Sequence, residues 1–157
     1  MKEITKKEGD YIILFSLTEI KECFIPKFGN QVISPGFYFY CGSAHGKGGL
    51  RSRILRHLDP GSKKFWHIDF LKGSLQPIEI WFQKTTEKSE CKYSQLLQKR
   101  FSGKIPLKDF GASDCKNKCG SHLIWFPLDT DIDKIFTHFS LIFGRFEREM
   151  AKDPFVR

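Results

Sequence analysis

No run of about 18 apolar residues occurs anywhere in these 157 residues, so a transmembrane helix is not expected. The first ten residues, MKEITKKEGD, carry acidic side chains and lack an apolar stretch followed by small residues, which argues against a secretory leader. There is no internal repeat and no low-complexity linker. The five cysteines (Cys23, Cys41, Cys91, Cys115, Cys119) are odd in number and unevenly spaced. That pattern speaks against a disulfide framework and for reduced thiols in a cytoplasm. The combination of low hydrophobicity and high charge that marks disorder is missing too. Hydrophobic residues make up 40% and aromatics 15%, with 16 Phe, enough apolar surface for a real core.

Lys and Arg total 26 against 18 Asp and Glu, a formal charge of +8. A basic balance of this size suits a phosphate-rich partner such as nucleic acid, and it also serves plain solubility.

The length fits one domain over residues 1–157. Residues 11–17 (YIILFSL), 36–41 (GFYFYC), 78–82 (IEIWF) and 123–128 (LIWFPL) read as strands. Turn residues fill 18–35, with room for a short strand near Gln31 to Ile33. Leu50, Ile54 and Leu58 recur every fourth residue, so 50–58 reads as a helix stopped by Asp59-Pro60-Gly61. Residues 64–72 read as a short helix and 87–101 as a longer one, with Tyr93, Leu97 and Phe101 on one side. Apolar residues from Ile132 to Met150 (Ile135, Phe136, Phe139, Ile142, Phe143 and Phe146 among them) form a stripe that predicts an amphipathic helix over about 132–150. Helices and strands mix without strict alternation, which predicts an α+β fold.

Arg53 and His57 are four residues apart and so share a helix face. Glu90 lies seven residues before Leu97, on the same side as the apolar stripe, where a carboxylate needs a partner or a metal. Two tyrosines, an arginine, a histidine and a carboxylate suit phosphodiester hydrolysis. Arginine forks onto phosphate, a carboxylate holds a hard dication, and tyrosine or histidine orients or deprotonates water.

These residues occur in an order that resembles the GIY-YIG nuclease superfamily. Gly9, Asp10 and Tyr11 match its first motif, Tyr40, Cys41 and Gly42 its second, Arg53 and His57 its arginine helix, and Glu90 its metal-binding glutamate. More specifically, the chain resembles a single-domain prokaryotic branch of that superfamily, of unknown function. It shares Tyr40-Cys41-Gly42-Ser43-Ala44, Gly48-Gly49-Leu50, Arg56-His57, Trp66-His67-Ile68-Asp69, Glu90-Cys91, Phe110-Gly111, Ser113-Asp114-Cys115 and Ser121-His122-Leu123, all within about 9–126.

The resemblance implies a small, mainly antiparallel three-stranded central sheet flanked by helices, with extra strands and the C-terminal helix. It implies a metal-dependent endonuclease that hydrolyses DNA, with a role in DNA repair and a repair protein as partner. Tyr11 would position or deprotonate water, Tyr40 hold water or phosphate, Arg53 stabilise the pentacovalent phosphate, His57 assist proton transfer, and Glu90 bind Mg²⁺ or Mn²⁺. The 29 residues from Tyr11 to Tyr40 require an insertion that loops out. No Asn follows the Glu90 helix, which leaves Asp114 and His122 as candidate substitutes.

Other readings stand beside these. Tyr11 and Tyr40 alone read as half-buried sheet aromatics. Arg51 and Arg56 read as a solvated helix face or as phosphate contacts, and Lys47 as part of a flexible glycine loop near a phosphate path. His57 and Glu90 each suit a helix dipole. His67 would reach the site as a nucleic-acid contact while Asp69 supports elsewhere, and a structural role for the pair stands beside that. Cys115, Cys119 and His122, with Cys91, are zinc-compatible types, but there is no paired CxxC, so buried reduced thiols are expected instead of structural zinc. The alternative functions are a non-catalytic nucleic-acid-binding module and a domain that recruits a repair partner.

Overall fold

A computed structural model of the protein describes residues 4–112, 115–144 and 146–151. Strand β1 (Gly9–Leu17) is buried along all but one of its residues. An apolar run without alternation suits a strand covered on both faces. It pairs antiparallel with β4 (Gly36–Ala44) on one side and β5 (Gln76–Lys84) on the other. Between β1 and β4, strands β2 (Lys21–Ile25) and β3 (Gly29–Ile33) form a separate two-stranded hairpin. This hairpin is the looped-out insertion that the long Tyr11–Tyr40 spacing demands.

The main sheet has five strands in the order β6-β4-β1-β5-β7, where β6 is Leu123–Phe126 and β7 is Glu147–Met150. All its pairings are antiparallel. It is larger than the expected three strands because both outer edges, at β4 and at β5, gain a partner strand. The α+β class is as expected.

Among the described residues, three α-helices flank the sheet: α1 (Gly49–Leu58), α2 (Glu90–Phe101) and α3 (Ile132–Phe143). Alternate residues of β1 point to opposite layers. Tyr11, Ile13 and Phe15 pack with Leu50, Ile54 and Leu58 of α1 and with Ile25 and Ile33 of the hairpin. Ile12 and Leu14 pack with Tyr93 and Leu97 of α2 and with Ile135 and Phe139 of α3.

Two sequence expectations change. The helix expected over 132–150 ends at Phe143, because Gly144 takes φ 90°. Residues 147–150 then leave the helical stripe and cover the edge of β5. The helix expected over 64–72 shrinks to a single 3-10 turn, His67–Phe70. Asp69 holds that turn by accepting the backbone N–H groups of Phe65 and Trp66 at 2.9 and 2.8 Å. Among the described residues, no helix is long and apolar enough to cross a membrane.

Candidate active site

The approach of α1 to the sheet is set by its first residue. Gly49 adopts φ +59°, and a Cβ there would lie 2.1 Å from the Lys6 carbonyl oxygen. With that space open, the Leu50 and Arg51 N–H groups bond the carbonyls of Lys7 and Thr5 at 3.0 Å. The helix is thereby pinned across the start of β1, and its Arg53–His57 row faces Tyr11.

His57 is buried and lies between two partners. Its Nε2 is 3.0 Å from the Tyr11 hydroxyl and its Nδ1 is 3.2 Å from Asp69 Oδ1. Asp69 also takes the two backbone N–H groups named above and lies 3.4 Å from Lys72 Nζ. The hydrogen bond from His57, with the backbone donors, outweighs burial and drops its carboxyl well below the usual range. An ionised Asp69 only accepts, so Nδ1 of His57 carries the proton and Nε2 accepts from Tyr11. Burial lowers the pKa of His57 against the pull of Asp69, so the imidazole is neutral at neutral pH. Burial raises that of Tyr11, with Arg53 opposing by charge and hydrogen bond.

Tyr40 completes this side. Its ring stands edge-on to His57 at 5.6 Å and lies 6.5 Å from that of Tyr11. Its hydroxyl is pushed to a high pKa chiefly by burial. Gly42 sits opposite Tyr11 in the β1–β4 register. A Cβ at 42 would meet the Tyr11 ring carbon Cζ and hydroxyl at 2.4 Å, so the glycine of the second motif makes room for the tyrosine of the first.

Ser43 joins this group to the other layer. Its carbonyl accepts Arg53 Nη1 at 3.1 Å, and the guanidinium lies 4.6 Å over the Trp66 ring. Its hydroxyl contacts both Asp10 and Glu90. Glu90 is half-buried, in the first turn of α2 at the sheet end. The sequence pattern put it on the apolar side of the helix. In the fold, Cys91, Tyr93, Ser94 and Leu97 take the buried positions of α2, and Glu90 turns to Ser43. Asp10 is fully buried and accepts from Ser89 N–H at 3.0 Å and from the Tyr93 hydroxyl at 3.3 Å. Burial, assisted by the Glu90 charge, raises its pKa. His45 Nε2 lies 3.6 Å from Asp10 Oδ1 and is buried without a hydrogen-bond partner.

Local sequence pattern assigns no role to Asp10, Ser43 and His45. Asp10 had a signal, a carboxylate at the head of a wholly apolar strand. Ser43 and His45 had none, because their placement depends on strand register.

The remaining candidates divide. Arg51 and Arg56 are half-buried on α1, and Arg56 donates to the Lys63 carbonyl at 3.2 Å. Lys47 is exposed in the loop before α1. His67 is packed edge-on to Phe28 at 5.1 Å and accepts the Gly111 N–H at 2.9 Å. Asp69 ends the chain that runs through His57 to Tyr11, in place of the support elsewhere that was expected of it. Asp114 lies outside the described residues. His122 Nε2 lies 3.3 Å from Cys91 Sγ.

A family model described as "Domain of unknown function DUF123" matches residues 10–144. No curated protein and no solved structure shows significant similarity.

Proposed function

The chain belongs to this family of unknown function, and we propose that it is a metal-dependent endonuclease of the GIY-YIG type that hydrolyses DNA phosphodiester bonds, in the service of repair. The observation that carries this reading is the continuous chain from Asp69 through His57 to the Tyr11 hydroxyl, with Arg53 beside that hydroxyl and Glu90 reached through Ser43.

The donor set fits a hard dication. Glu90, Asp10 and the Ser43 hydroxyl are oxygen donors, and one hydroxyl proton faces two carboxylates. The second contact is satisfied by a proton on a carboxyl or by a cation. Glu90, with Asp10 and Ser43 behind it, would hold Mg²⁺ or Mn²⁺. Such an ion, when bound, supplies charge that stabilises the phosphate and the leaving oxygen.

The protein's own groups handle the proton and the phosphate. Water gives a proton to the Tyr11 oxygen as the phenolic proton passes to His57 Nε2. Asp69 then stabilises the imidazolium. No phenolate accumulates in this relay, which suits a tyrosine whose burial keeps it protonated. The Arg53 guanidinium, oriented by Trp66 and Ser43, meets charge that grows at the phosphate in the transition state. Tyr40 lies within reach of the same water or phosphate. Free thiols fit a cytoplasmic setting.

Nicking of supercoiled plasmid by the purified chain tests the reading. Wild type should convert it to open circles only with Mg²⁺ or Mn²⁺, and Glu90→Gln should lose cleavage while retaining its circular dichroism and DNA retention. Equal nicking by Glu90→Gln at saturating Mg²⁺ removes Glu90 as the metal ligand. Absence of metal-dependent cleavage of duplex, branched and single-stranded DNA, with binding intact, replaces the enzyme by a binding module.

A further inference from the structure

Cys91 lies in the first turn of α2, Cys115 and Cys119 in the loop that approaches β6, and His122 immediately before β6. We propose that these four residues form a structural zinc site, tying the first turn of α2 to the 115–122 segment.

Their ligand atoms all lie within 4.8 Å of one another. Cys91 Sγ is 2.9 Å from Cys115 Sγ and 3.0 Å from Cys119 Sγ, and those two are 3.6 Å apart. His122 Nε2 closes the group at 3.3 Å from Cys91 Sγ. A tetrahedron with Zn–S near 2.3 Å has edges of about 3.8 Å, so an ion would enter with about half an ångström of outward movement per sulfur. A disulfide would use two of these sulfurs and leave the third beside it, and none of the pairs is bonded.

Ordinary packing does not account for the group. Cys41 belongs to the apolar cluster under α2 and α3, whereas the sulfurs of the buried Cys91 and Cys119 meet each other, Cys115 and the His122 ring. The 122 backbone is fixed, with its carbonyl accepting Cys41 N–H and its N–H bonding the Phe110 carbonyl, both at 2.8 Å.

Binding would release one proton from each of three thiols to solvent. Three thiolates, a neutral imidazole and Zn²⁺ then form a site of net charge −1 with four protein ligands and no open position, which is the structural type. The absence of a paired CxxC, which argued against zinc in the sequence, reflects a site whose fourth ligand comes from a helix 24 residues upstream of Cys115. Glu90 immediately precedes Cys91, so the ion would also hold the turn that carries Glu90. The assignment is independent of the nuclease reading, because metal content and spectra test it without any cleavage.

The full chain, expressed in zinc-supplemented medium and passed through gel filtration in Mg²⁺ buffer, should retain one zinc per chain by elemental analysis. Cobalt exchanged into it should give tetrahedral d–d bands and thiolate-to-cobalt charge transfer. Cys115→Ser should weaken zinc at least tenfold in competition with a chromophoric chelator. His122→Cys should keep it as a four-thiolate site, and Cys23→Ser, on the separate hairpin, should match wild type. Substoichiometric zinc in wild type together with no cobalt–thiolate band overturns the proposal, and so does wild-type affinity in Cys115→Ser. The wild-type measurements stand even if a variant fails to fold. An intact mass showing a disulfide among Cys91, Cys115 and Cys119 in freshly purified, unoxidised protein also overturns it.

Discussion

Buried between Tyr11 and Asp69, His57 should govern the response to pH. Its folded pKa lies below the ordinary 6.5, with burial as the larger cause. As pH falls from 6.5 toward the folded value, the unfolded chain binds a proton that the folded chain refuses. The stability associated with neutral His57 is therefore present above 6.5 and lost as pH drops through the folded pKa. By the same shift, the acid limb of the nicking rate should have its midpoint below 6.5. A midpoint at or above 6.5 in a rate profile would exclude His57 as the base. Asp69→Asn removes the group that raises the His57 pKa and fixes its tautomer. It should move the acid limb further down and slow cleavage about 10³–10⁴-fold, by analogy with other carboxylate–histidine pairs. Arg53→Ala should cost about 10²–10³-fold in rate, and Arg53→Lys should recover only part, because the fork geometry is lost. Single-turnover kinetics read both.

At the scale of the element, the β1–β4 pair and the edge strand β7 make separate claims. Gly42→Ala would place a methyl group on the Tyr11 hydroxyl and force that ring or the strand to shift. Overpacking of this kind costs about 1–3 kcal/mol. Urea unfolding should show that loss, and nicking should fall by more than the loss of folded protein explains. On the other edge, Arg148 of β7 forks onto Glu79 at 2.9 and 2.8 Å, and Glu79 also accepts Trp81 Nε1 at 2.9 Å. Breaking a fully buried pair costs about 3–5 kcal/mol. Arg148 is partly exposed, so Arg148→Met should destabilise by less, about 1–3 kcal/mol. Denaturant melts should show the loss with nicking unchanged at temperatures where the variant is folded.

Across the whole molecule, the formal +8 charge sets how DNA would be held. Among the described residues no helix of a known base-reading motif is evident, and affinity should be electrostatic and largely indifferent to sequence. If Lys47, Arg51, Arg53 and Arg56 each meet one phosphate, log affinity should fall with log salt at a slope of about −3 to −4. Arg56→Ala should reduce that slope by about one. A flat salt dependence in filter-binding titrations, or strong preference for one sequence, would count against this.

Some of this was written locally. The buried apolar run of β1, the four-residue spacing of Leu50, Ile54 and Leu58, and the shared face of Arg53 and His57 depend on near neighbours, so the sequence determined those elements and the α+β class. Residues 147–150 depart from their local pattern: Phe146 and Met150 keep a helical period, while the open edge of β5 takes them as a strand. Asp69 could not be placed from its own segment, since its partner His57 lies on another element. Ser43 acquires its role only from strand register, which sets it opposite Asp10. The cysteine–histidine group is the extreme case, with ligands from α2, a loop and the approach to β6. Local periodicity is a property of adjacent residues. Convergence of distant side chains depends on strand order and on the layer each helix covers, and only the tertiary structure decides those.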